Sequence, residues 1–173
     1  MDAAPTVRKL EAPEWSTYRD LRLRALAESP DAFGSTLAIE QVRGAEDWAR
    51  RLATGTTSGL DLPLIAEVHH VAAGLAWAKV EPSDASVVNV FQMWVAPEFR
   101  GRGTGRLLLR AAIDWAKARG AHAVQLGVAC GDTPAMRLYT RAGFRPVGAP
   151  GSLRDGSPLL GQSMLLRFDQ CVA

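Results

Sequence analysis

The sequence predicts a single domain of the α/β class (α+β in stricter usage), spanning residues 1–173, in which helices flank a mixed β-sheet. The length of 173 residues is enough for one well-packed core and too short for two. Hydrophobic residues make up 47% and charged residues 22%, which is the balance of a globular protein and excludes disorder over most of the chain. Strand-like apolar runs and segments of helical periodicity then decide the class.

The first third of the chain is predicted to be mainly helical. A short strand is expected at residues 6–10. The helix that follows is indicated by apolar residues at helical spacing on one face, namely Trp15, Tyr18, Leu21, Ala25 and Leu26. Pro30 ends this helix, because proline disfavours helical backbone in the residue before it. A second helix is predicted at residues 40–54, and a loop at residues 55–61.

Strands dominate the rest of the chain. A hairpin is predicted where His69 and His70 separate two apolar runs, residues 64–68 and 72–80. The later elements are a strand at 87–95, a helix at 104–119, a strand at 123–128, a helix at 133–142, and strands at 144–147 and 163–168. The central strand–helix–strand unit implies one parallel pair among antiparallel neighbours, so the sheet is expected to be mixed.

Charge and composition exclude several classes of function. A net charge of +2 is too small for a nucleic-acid-binding surface, although four arginines between residues 100 and 110 predict a local anion site. No apolar run approaches the roughly 20 residues that span a bilayer, and the N-terminus lacks the apolar segment of a secretory signal. Cys130 and Cys171 have no metal-ligand spacing, so we expect no metal site and a reduced, cytoplasmic setting.

The glycine-rich segment RGRGTG, residues 100–105, connects a predicted strand to a predicted helix. A helix N-terminus presents unpaired N–H groups and the positive end of a dipole, and glycines let an anion approach them. A phosphate or pyrophosphate is therefore the expected ligand. The segment is neither a P-loop, which needs a G-K-S/T sequence, nor the G-x-G-x-x-G of dinucleotide-binding folds. Taken alone, it is also compatible with a tight turn that carries surface arginines.

Two signatures together resemble the GNAT superfamily of N-acetyltransferases, which use acetyl-CoA. The family's acyl-CoA motif, Q/R-x-x-G-x-G/A, is matched by Arg100, Gly103 and Gly105. The second signature, N-x-x-A-x-x-L-Y followed by G-F, is matched by Ala135, Leu138, Tyr139, Gly143 and Phe144. The resemblance implies a central mixed, mostly antiparallel sheet with a splayed parallel strand pair and about four flanking helices.

The resemblance also implies a site. Acetyl-CoA is expected as cosubstrate, and its contacts are expected from Met93, Trp94, Val95, Arg100, Gly101, Arg102, Gly103, Thr104, Gly105, Arg106, Asp132, Ala135 and Tyr139. The backbone N–H of Val95 would polarise the thioester carbonyl, and Tyr139 would act as general acid toward the departing thiolate. The implied reaction is direct transfer of acetyl to a primary amine of a small molecule or peptide in a ternary complex.

The sequence departs from the family pattern at two points. Asp132 replaces the usual asparagine, so it loses a hydrogen-bond donor, and we expect it to cap the helix that begins near Thr133. No carboxylate lies near Asn89, Gln92 and Met93 on the long strand, where many relatives carry a general base. The remaining carboxylate candidates are Glu40, Glu67, Glu81 and Asp84, and water relaying the proton is an equal alternative.

Three other interpretations bear on function. Cys130 is expected to be a small buried residue, and His69, His70 and His122 to be superficial. Residues 27–40, with Ser29, Asp31 and Phe33, are expected to form part of the acceptor wall, and a homodimer is compatible with the family. A non-catalytic acyl-CoA-binding module and a protein that binds another nucleotide remain open as alternatives.

Overall fold

The element bounds come from a computed structural model that describes residues 4–168. The described residues form seven strands: β1 (Thr6–Lys9), β2 (Asp61–Val68), β3 (Val71–Glu81), β4 (Asp84–Val95), β5 (Ala123–Ala129), β6 (Arg145–Ser152) and β7 (Leu160–Arg167). They also form five α-helices: α1 (Trp15–Glu28), α2 (Leu37–Glu40), α3 (Ala45–Thr57), α4 (Thr104–Ala118) and α5 (Pro134–Arg141). Short 3-10 turns span Ala12–Glu14, Pro30–Ala32 and Pro97–Phe99.

All seven strands belong to one sheet, in the order β1-β2-β3-β4-β5-β7-β6. The β4–β5 pair is parallel, and the other neighbours are antiparallel. The parallel pair is joined by α4, as a crossover between parallel strands requires. The predicted mixed sheet is therefore confirmed, although five α-helices stand where about four were expected.

The sheet separates two hydrophobic cores. One face packs against α4 and α5 through a cluster that includes Leu108, Ala112 and Phe144. The other face packs against α1 and α3, and the cluster there includes Tyr18, Trp48 and the sheet residues Trp77 and Trp94. Each face of the sheet thus has its own helical layer, and β4 contributes side chains to both layers.

A β-bulge interrupts β4 at Gln92, which has a φ of 55°. On β3 two steps lead from Leu75 to Trp77, whereas three steps on β4 separate their partners Trp94 and Phe91. One extra residue on β4 therefore lies in the bulge. A positive φ is uncommon for a residue other than glycine, and bulges are frequent next to active sites.

The bulge changes which side chains of β4 face which layer. Val90 before it and Met93 and Val95 after it all contact the core under α4. Trp94 belongs to the core under α1. In a regular strand, in which successive side chains alternate between the faces, Trp94 would lie on the same face as Val90 and Val95 would point away from α4.

Several element bounds differ from the sequence prediction. The single helix expected at residues 40–54 is wrong, because α2 ends at Glu40 and α3 begins after Gly44, whose extended backbone (φ −69°, ψ 162°) is the N-cap. The loop is shorter than the predicted residues 55–61, because α3 continues to Thr57. The predicted hairpin at His69 and His70 is confirmed, and both histidines have positive φ, as in a two-residue turn of type I′.

Candidate active site

The parallel strands β4 and β5 pair over only four residues each. Val87–Val90 of β4 are in register with Ala123–Leu126 of β5. Beyond these residues β4 continues to Val95 and β5 to Ala129, with no further pairing between them. The strands therefore diverge toward their carboxyl ends. This opens a gap with unpaired backbone groups next to the N-terminus of α4.

The backbone of Val95 points into this gap. The Ala96 N–H donates to the Ala73 carbonyl at 2.9 Å, so the next pair, Gly74 and Val95, is a non-hydrogen-bonded pair of the β3–β4 ladder. In such a pair the N–H and C=O of Val95 face away from β3, toward the diverging β5. The Nε of Arg100 donates to the Val95 carbonyl at 2.9 Å from that side.

Gly74 allows this part of the sheet to form. A Cβ at position 74 would lie 2.6 Å from the Trp94 carbonyl oxygen and 3.3 Å from the Val95 Cα. Any side chain there would push β4 away from β3. The position of the Val95 backbone therefore depends on a residue without a Cβ on the neighbouring strand.

The glycine turn leads into α4 as the sequence predicts. Gly101 and Gly103 have φ values of 74° and 80°, a backbone conformation that favours glycine. Gly103 is the N-cap, and the first intrahelical bond runs from the Leu107 N–H to the Gly103 carbonyl at 3.0 Å. The N–H groups of the first turn, from Thr104 to Arg106, have no intrahelical acceptor. The turn thus offers an anion site at the mouth of the gap.

The arginines of the turn have different surroundings. Arg102 and Arg106 are exposed at the rim of the turn. The Arg100 guanidinium instead donates to the Glu28 carboxylate, with Nη2 at 2.7 Å from Oε2, in addition to its bond to the Val95 carbonyl. Arg100 therefore links the end of β4 to the end of α1, a contact that the sequence did not predict.

Gly105 marks the point where three segments meet. A Cβ added there would lie 3.4 Å from the Leu138 side chain on α5 and 3.7 Å from the side chains of Met93 and Val95 on β4. The two family signatures, about thirty residues apart in sequence, are thus in contact around the gap. Ala135, one turn before Leu138, is half-buried and packs against the same core.

Tyr139 is buried, with 6% of its surface exposed, and its ring centroid lies 6.0 Å from that of Phe144. Burial raises the pKa of the Tyr139 hydroxyl to about 12. The group therefore keeps its proton at neutral pH. A protonated phenol in an apolar setting is a hydrogen-bond and proton donor, and not a base.

The expected cap at Asp132 is wrong. Thr133 is the N-cap of α5, and its side chain accepts a hydrogen bond from the Met136 N–H at 3.1 Å. Asp132, with its side chain 81% exposed, pairs with Arg137 at 3.1 Å instead. The threonine was the better choice because its hydroxyl sits directly before Pro134, which occupies the first helical position.

A cavity of about 700 Å³ lies on the opposite face of β4 from α4, between the sheet and the helices α1, α2 and α3. It reaches the bulge, because Phe91 and Gln92 line it. Phe33 and Glu40, from the segment expected to form the acceptor wall, also line it. Ser29 and Asp31 do not, and Asp31 is exposed.

The match to known proteins is consistent along the chain. A family model described as the acetyltransferase (GNAT) family matches residues 46–144. The chain belongs to this family. The predicted membership of the GNAT family is therefore confirmed. The matched residues contain both signatures that carried the resemblance.

Relatives of known sequence include proteins named mycothiol acetyltransferases. The one from Clavibacter michiganensis subsp. michiganensis is 33% identical over 145 residues, which is 84% of this chain and 44% of the relative. That of Stackebrandtia nassauensis is 35% identical over 69% of this chain and 37% of its own length. The chain thus spans less than half of the length of these curated relatives.

Solved structures share the complete GNAT fold. A GCN5-related N-acetyltransferase from Kribbella flavida is 25% identical, with a TM-score of 0.77 over 95% of this chain and 98% of that one. An acetyltransferase from Salmonella typhimurium, determined with acetyl-CoA, is 20% identical with a TM-score of 0.80 over 99% and 98%. The predicted fold class is therefore confirmed.

The structure separates the carboxylates that sequence reasoning left open as general bases. Glu67 pairs with Arg8, Glu81 accepts from Asn89 and Ser83, and Asp84 accepts from Ser86, all at the ends or edges of strands. Glu40 alone of the four lines the cavity.

Glu40 is nevertheless a poor base. It accepts hydrogen bonds from Ser35 at 2.9 Å, Arg43 at 2.7 Å and Arg51 at 3.2 Å. Burial would raise the pKa of Glu40, but these donors and the charges of the two arginines outweigh burial and hold the pKa below its usual value. A carboxylate that is stabilised as the anion in this way has little tendency to take a proton.

The remaining candidate residues lie outside the gap or outside the described chain. Cys130 is exposed, so its expected burial is wrong, while Cys171 lies beyond the described residues. The three histidines are exposed, as predicted. In residues 4–168 no group of three His, Cys, Asp or Glu could hold a metal ion, and no helix has the length and apolar character to cross a bilayer.

Sequence reasoning missed most residues that line the cavity, including Arg22 on α1. The Tyr18 hydroxyl donates to the Gln92 side chain at 2.9 Å, which connects α1 to the bulge. Arg22 lies four residues after Tyr18, on the inward apolar face of α1. The helical periodicity of α1 already places Arg22 on the inward face, and a charged residue at such a position is a signal of a functional role.

Proposed function

We propose that this chain transfers an acetyl group from acetyl-CoA to a primary amine of a small molecule or peptide, within a ternary complex. The observation that carries the proposal is the meeting of β4, α4 and α5 at Gly105, beside the gap between β4 and β5. The gap provides unpaired backbone groups, the helix start provides an anion site, and α5 provides a protonated phenol. These are the parts that thioester aminolysis needs.

The cofactor is held mainly by backbone groups in this proposal. The N–H groups of Gly101, Gly103 and the first turn of α4, Thr104 to Arg106, bind the pyrophosphate, with Arg102 and Arg106 adding positive charge at the rim. Met93 and Val95 on β4, together with Asp132 and Ala135 at the start of α5, would hold the pantetheine arm in the gap.

Arg100 and Trp94 contact α1 and support the end of β4. The Arg100 guanidinium is engaged by Glu28 and by the Val95 carbonyl, so it positions the end of β4 and leaves the phosphates to the backbone of the turn. The Trp94 indole donates to the same Glu28 carboxylate at 2.9 Å, on the α1 side of the sheet. Both residues support the strand segment that carries Val95.

In the chemical step the acceptor nitrogen attacks the thioester carbonyl, a C–N bond forms and the C–S bond breaks. The Val95 N–H stabilises the oxyanion that develops on the carbonyl, a contribution of about 3 kcal/mol for a well-placed donor. Tyr139 donates its proton to the departing thiolate. It regains a proton from the attacking nitrogen through water, so no net charge accumulates.

Deprotonation of the acceptor ammonium is assigned to water. Glu40 is the only one of the four sequence-derived carboxylate candidates that lines the cavity, and its three donors hold it as an anion. A chain of waters that is held by backbone carbonyls and leads from the bulge through the cavity to solvent would carry this proton away without a side-chain base. This arrangement makes the pKa of the acceptor amine itself important for the rate.

Two measurements test the proposal in sequence. Calorimetric titration of the folded protein with acetyl-CoA and with ATP should show binding of acetyl-CoA at micromolar to millimolar concentration and none of ATP. Release of the CoA thiol with a panel of primary amines should then exceed spontaneous hydrolysis. Failure to bind acetyl-CoA would exclude the proposal. Binding without release for any amine would instead favour a non-catalytic acyl-CoA-binding module.

A further inference from the structure

Arg22 is a buried arginine that lines the acceptor-side cavity. Only 4% of its surface is exposed. Its Nε and Nη1 atoms are sealed from solvent and have no hydrogen-bond partner among the described residues. The Phe33 ring, 4.7 Å from the guanidinium carbon, covers one face of the group. The guanidinium is thus held by packing and left without an anionic partner.

An arginine in this situation is costly unless something pairs with it. Burial lowers the pKa of Arg22, although the nearby Tyr18 and Glu40 act in the opposite direction. Buried charges in proteins are ordinarily paired and hydrogen-bonded. The missing partner therefore points to an anion that enters the cavity from outside the chain.

The other charged groups around the cavity do not supply this partner. Its cationic side chains are Arg22, Arg43, Arg50, Arg51 and Lys79, and its carboxylates are Glu40, Asp47 and Asp61. Glu40 is bonded to Arg43 and Arg51, Asp47 pairs with Arg50, and Asp61 accepts from the Trp77 indole at 2.8 Å. Each carboxylate is already engaged, and the cavity as a whole has an excess of positive charge.

Arg22 lies on the part of α1 that faces the reacting end of β4. One turn earlier, Tyr18 contacts Gln92 in the bulge. Six residues later, Glu28 contacts Trp94 and Arg100, next to Val95. Residues one turn apart on a helix are separated by about 5–6 Å. An acid group at Arg22 would therefore lie within the length of a small molecule from the bulge.

We propose that the acceptor is a small aminocarboxylate, such as an amino acid, whose carboxylate pairs with Arg22 while its amine lies at the bulge near Val95. This inference rests on the proposed acetyl transfer and names its substrate class. The permanently charged guanidinium suits a carboxylate, and Nη2, the one nitrogen that is not sealed, is the donor that a ligand in the cavity can reach. The excess positive charge also favours the neutral form of the acceptor amine, which offsets the lack of a side-chain base.

The test compares amino acids with their carboxamides, which keep the amine and the side chain and lack the acid. Acetylation is followed by CoA release, and kcat/KM is measured for each pair. For at least one pair we expect the acid to be favoured about 10- to 100-fold, the range of a hydrogen-bonded charge pair. In Arg22→Met this ratio should fall close to one.

Arg19→Met is the matched control, because Arg19 is on the same helix, pairs with Asp20 and does not line the cavity. It should leave the ratio unchanged. Thermal stabilisation by the same pairs in the presence of CoA gives a second readout that needs no turnover. Three results would overturn the inference if acetyl-CoA binding persisted. They are equal kcat/KM for acids and carboxamides, a ratio that Arg22→Met does not change, and thermal stabilisation that does not differ between acid and carboxamide. Loss of acetyl-CoA binding in the unmodified protein would overturn the proposed function instead.

Discussion

The two faces of β4 are built by different kinds of groups. On the α4 face, the gap beside Val95 is lined by backbone: the open edge of β4, the glycine turn and the first turn of α4. On the α1 face, the cavity is lined by long side chains from α1, α2, α3 and the sheet. In the function that we propose, cofactor recognition on one face thus depends on backbone geometry, and acceptor recognition on the other depends on side-chain chemistry.

This difference has a consequence for variation in sequence. A backbone site is sensitive to glycine replacement and tolerant of most side-chain changes, since φ and close approach determine it. A side-chain site can change its ligand through one or two substitutions and leave the sheet intact. Under the proposed function, we therefore expect the donor side to tolerate fewer glycine replacements than the acceptor side.

The two tyrosines give the sharpest comparison of the faces, because each lies on one of them. Tyr139→Phe should lower kcat about 10²- to 10³-fold, the contribution of a general acid, with acetyl-CoA affinity unchanged. Its thermal stability at neutral pH should not fall, since the Tyr139 hydroxyl has no hydrogen bond within the described residues. Stopped-flow or steady-state kinetics and calorimetry measure both. An unchanged kcat would remove Tyr139 from the mechanism.

Tyr18→Phe should behave in the opposite way. Its hydroxyl donates to Gln92, so its loss leaves a part-buried amide oxygen without this partner, at a cost of about 1 kcal/mol of unfolding free energy. The change in kcat should be less than about tenfold, because this hydroxyl does not meet the leaving group. If both variants lost activity equally, the functional separation of the two faces would be wrong.

The pH dependence of Tyr139 follows from its raised pKa. The folded value of about 12 exceeds the ordinary value of 10.0, so folding favours the protonated phenol. Its contribution to stability is complete below about pH 10 and is lost as the pH rises through about 12. Relative to Tyr139→Phe, the unmodified protein should lose stability over this alkaline window. Denaturant midpoints at pH 9 and pH 11 provide the measurement.

The glycine turn tests the backbone side of the comparison. Gly103→Val should weaken acetyl-CoA binding about 100-fold, because the N-cap at φ 80° would have to change and two or more charge-assisted bonds to phosphate would be lost. Gly59→Val is the matched control. Gly59 has a φ of 71°, and, like Gly103, it has no atom within 4 Å of a Cβ. It lies in the loop before β2, where its carbonyl accepts a hydrogen bond from Arg119 at the C-terminal end of α4, the end opposite the glycine turn.

Both valine variants should lose similar stability, and only Gly103→Val should lose cofactor affinity. Calorimetric Kd values and unfolding curves for the two variants separate strain from binding. Equal Kd values in both would show that the turn does not hold the phosphates.

The donor side could be predicted from the sequence because its parts are local. The residues from Arg100 to Gly105 determine the turn, and the helix start follows within the same few residues. Tyr139 and Ala135 were identified by a second local pattern. The failure at Asp132 was an error of one position, since two adjacent residues could both cap α5 and only geometry decided for Thr133.

The acceptor side could not be predicted in the same way, because its residues come from distant segments. Arg22, Glu40, Trp77 and Gln92 meet only after the sheet and two helices have packed. The bulge at Gln92 was missed when residues 87–95 were interpreted as a regular strand. A signal was present, since the polar residues Asn89 and Gln92 are three apart where alternation requires an even spacing.

The smallest expected effect concerns a contact that joins the two faces. Glu28, near the end of α1, accepts from Trp94 and from Arg100, which in turn holds the Val95 carbonyl. Glu28→Gln should cost less than about 1 kcal/mol of stability, since the ion pair is partly exposed. It should raise the KM for acetyl-CoA only a few-fold, because the Val95 backbone loses a distant support.

Acidification should remove the same contact in the unmodified protein. The hydrogen bonds from Arg100 lower the pKa of Glu28 to about 2 from 4.5, so its stabilisation is present above about pH 4.5 and is lost as the pH falls toward 2. The difference in melting temperature between the unmodified protein and Glu28→Gln should therefore shrink over this acidic window. Asp20→Asn, which breaks an exposed pair on the same helix, should leave the KM unchanged. A KM that rose equally in both variants would indicate that α1 influences the cofactor through general loosening and that the Glu28–Arg100 contact does not couple the faces.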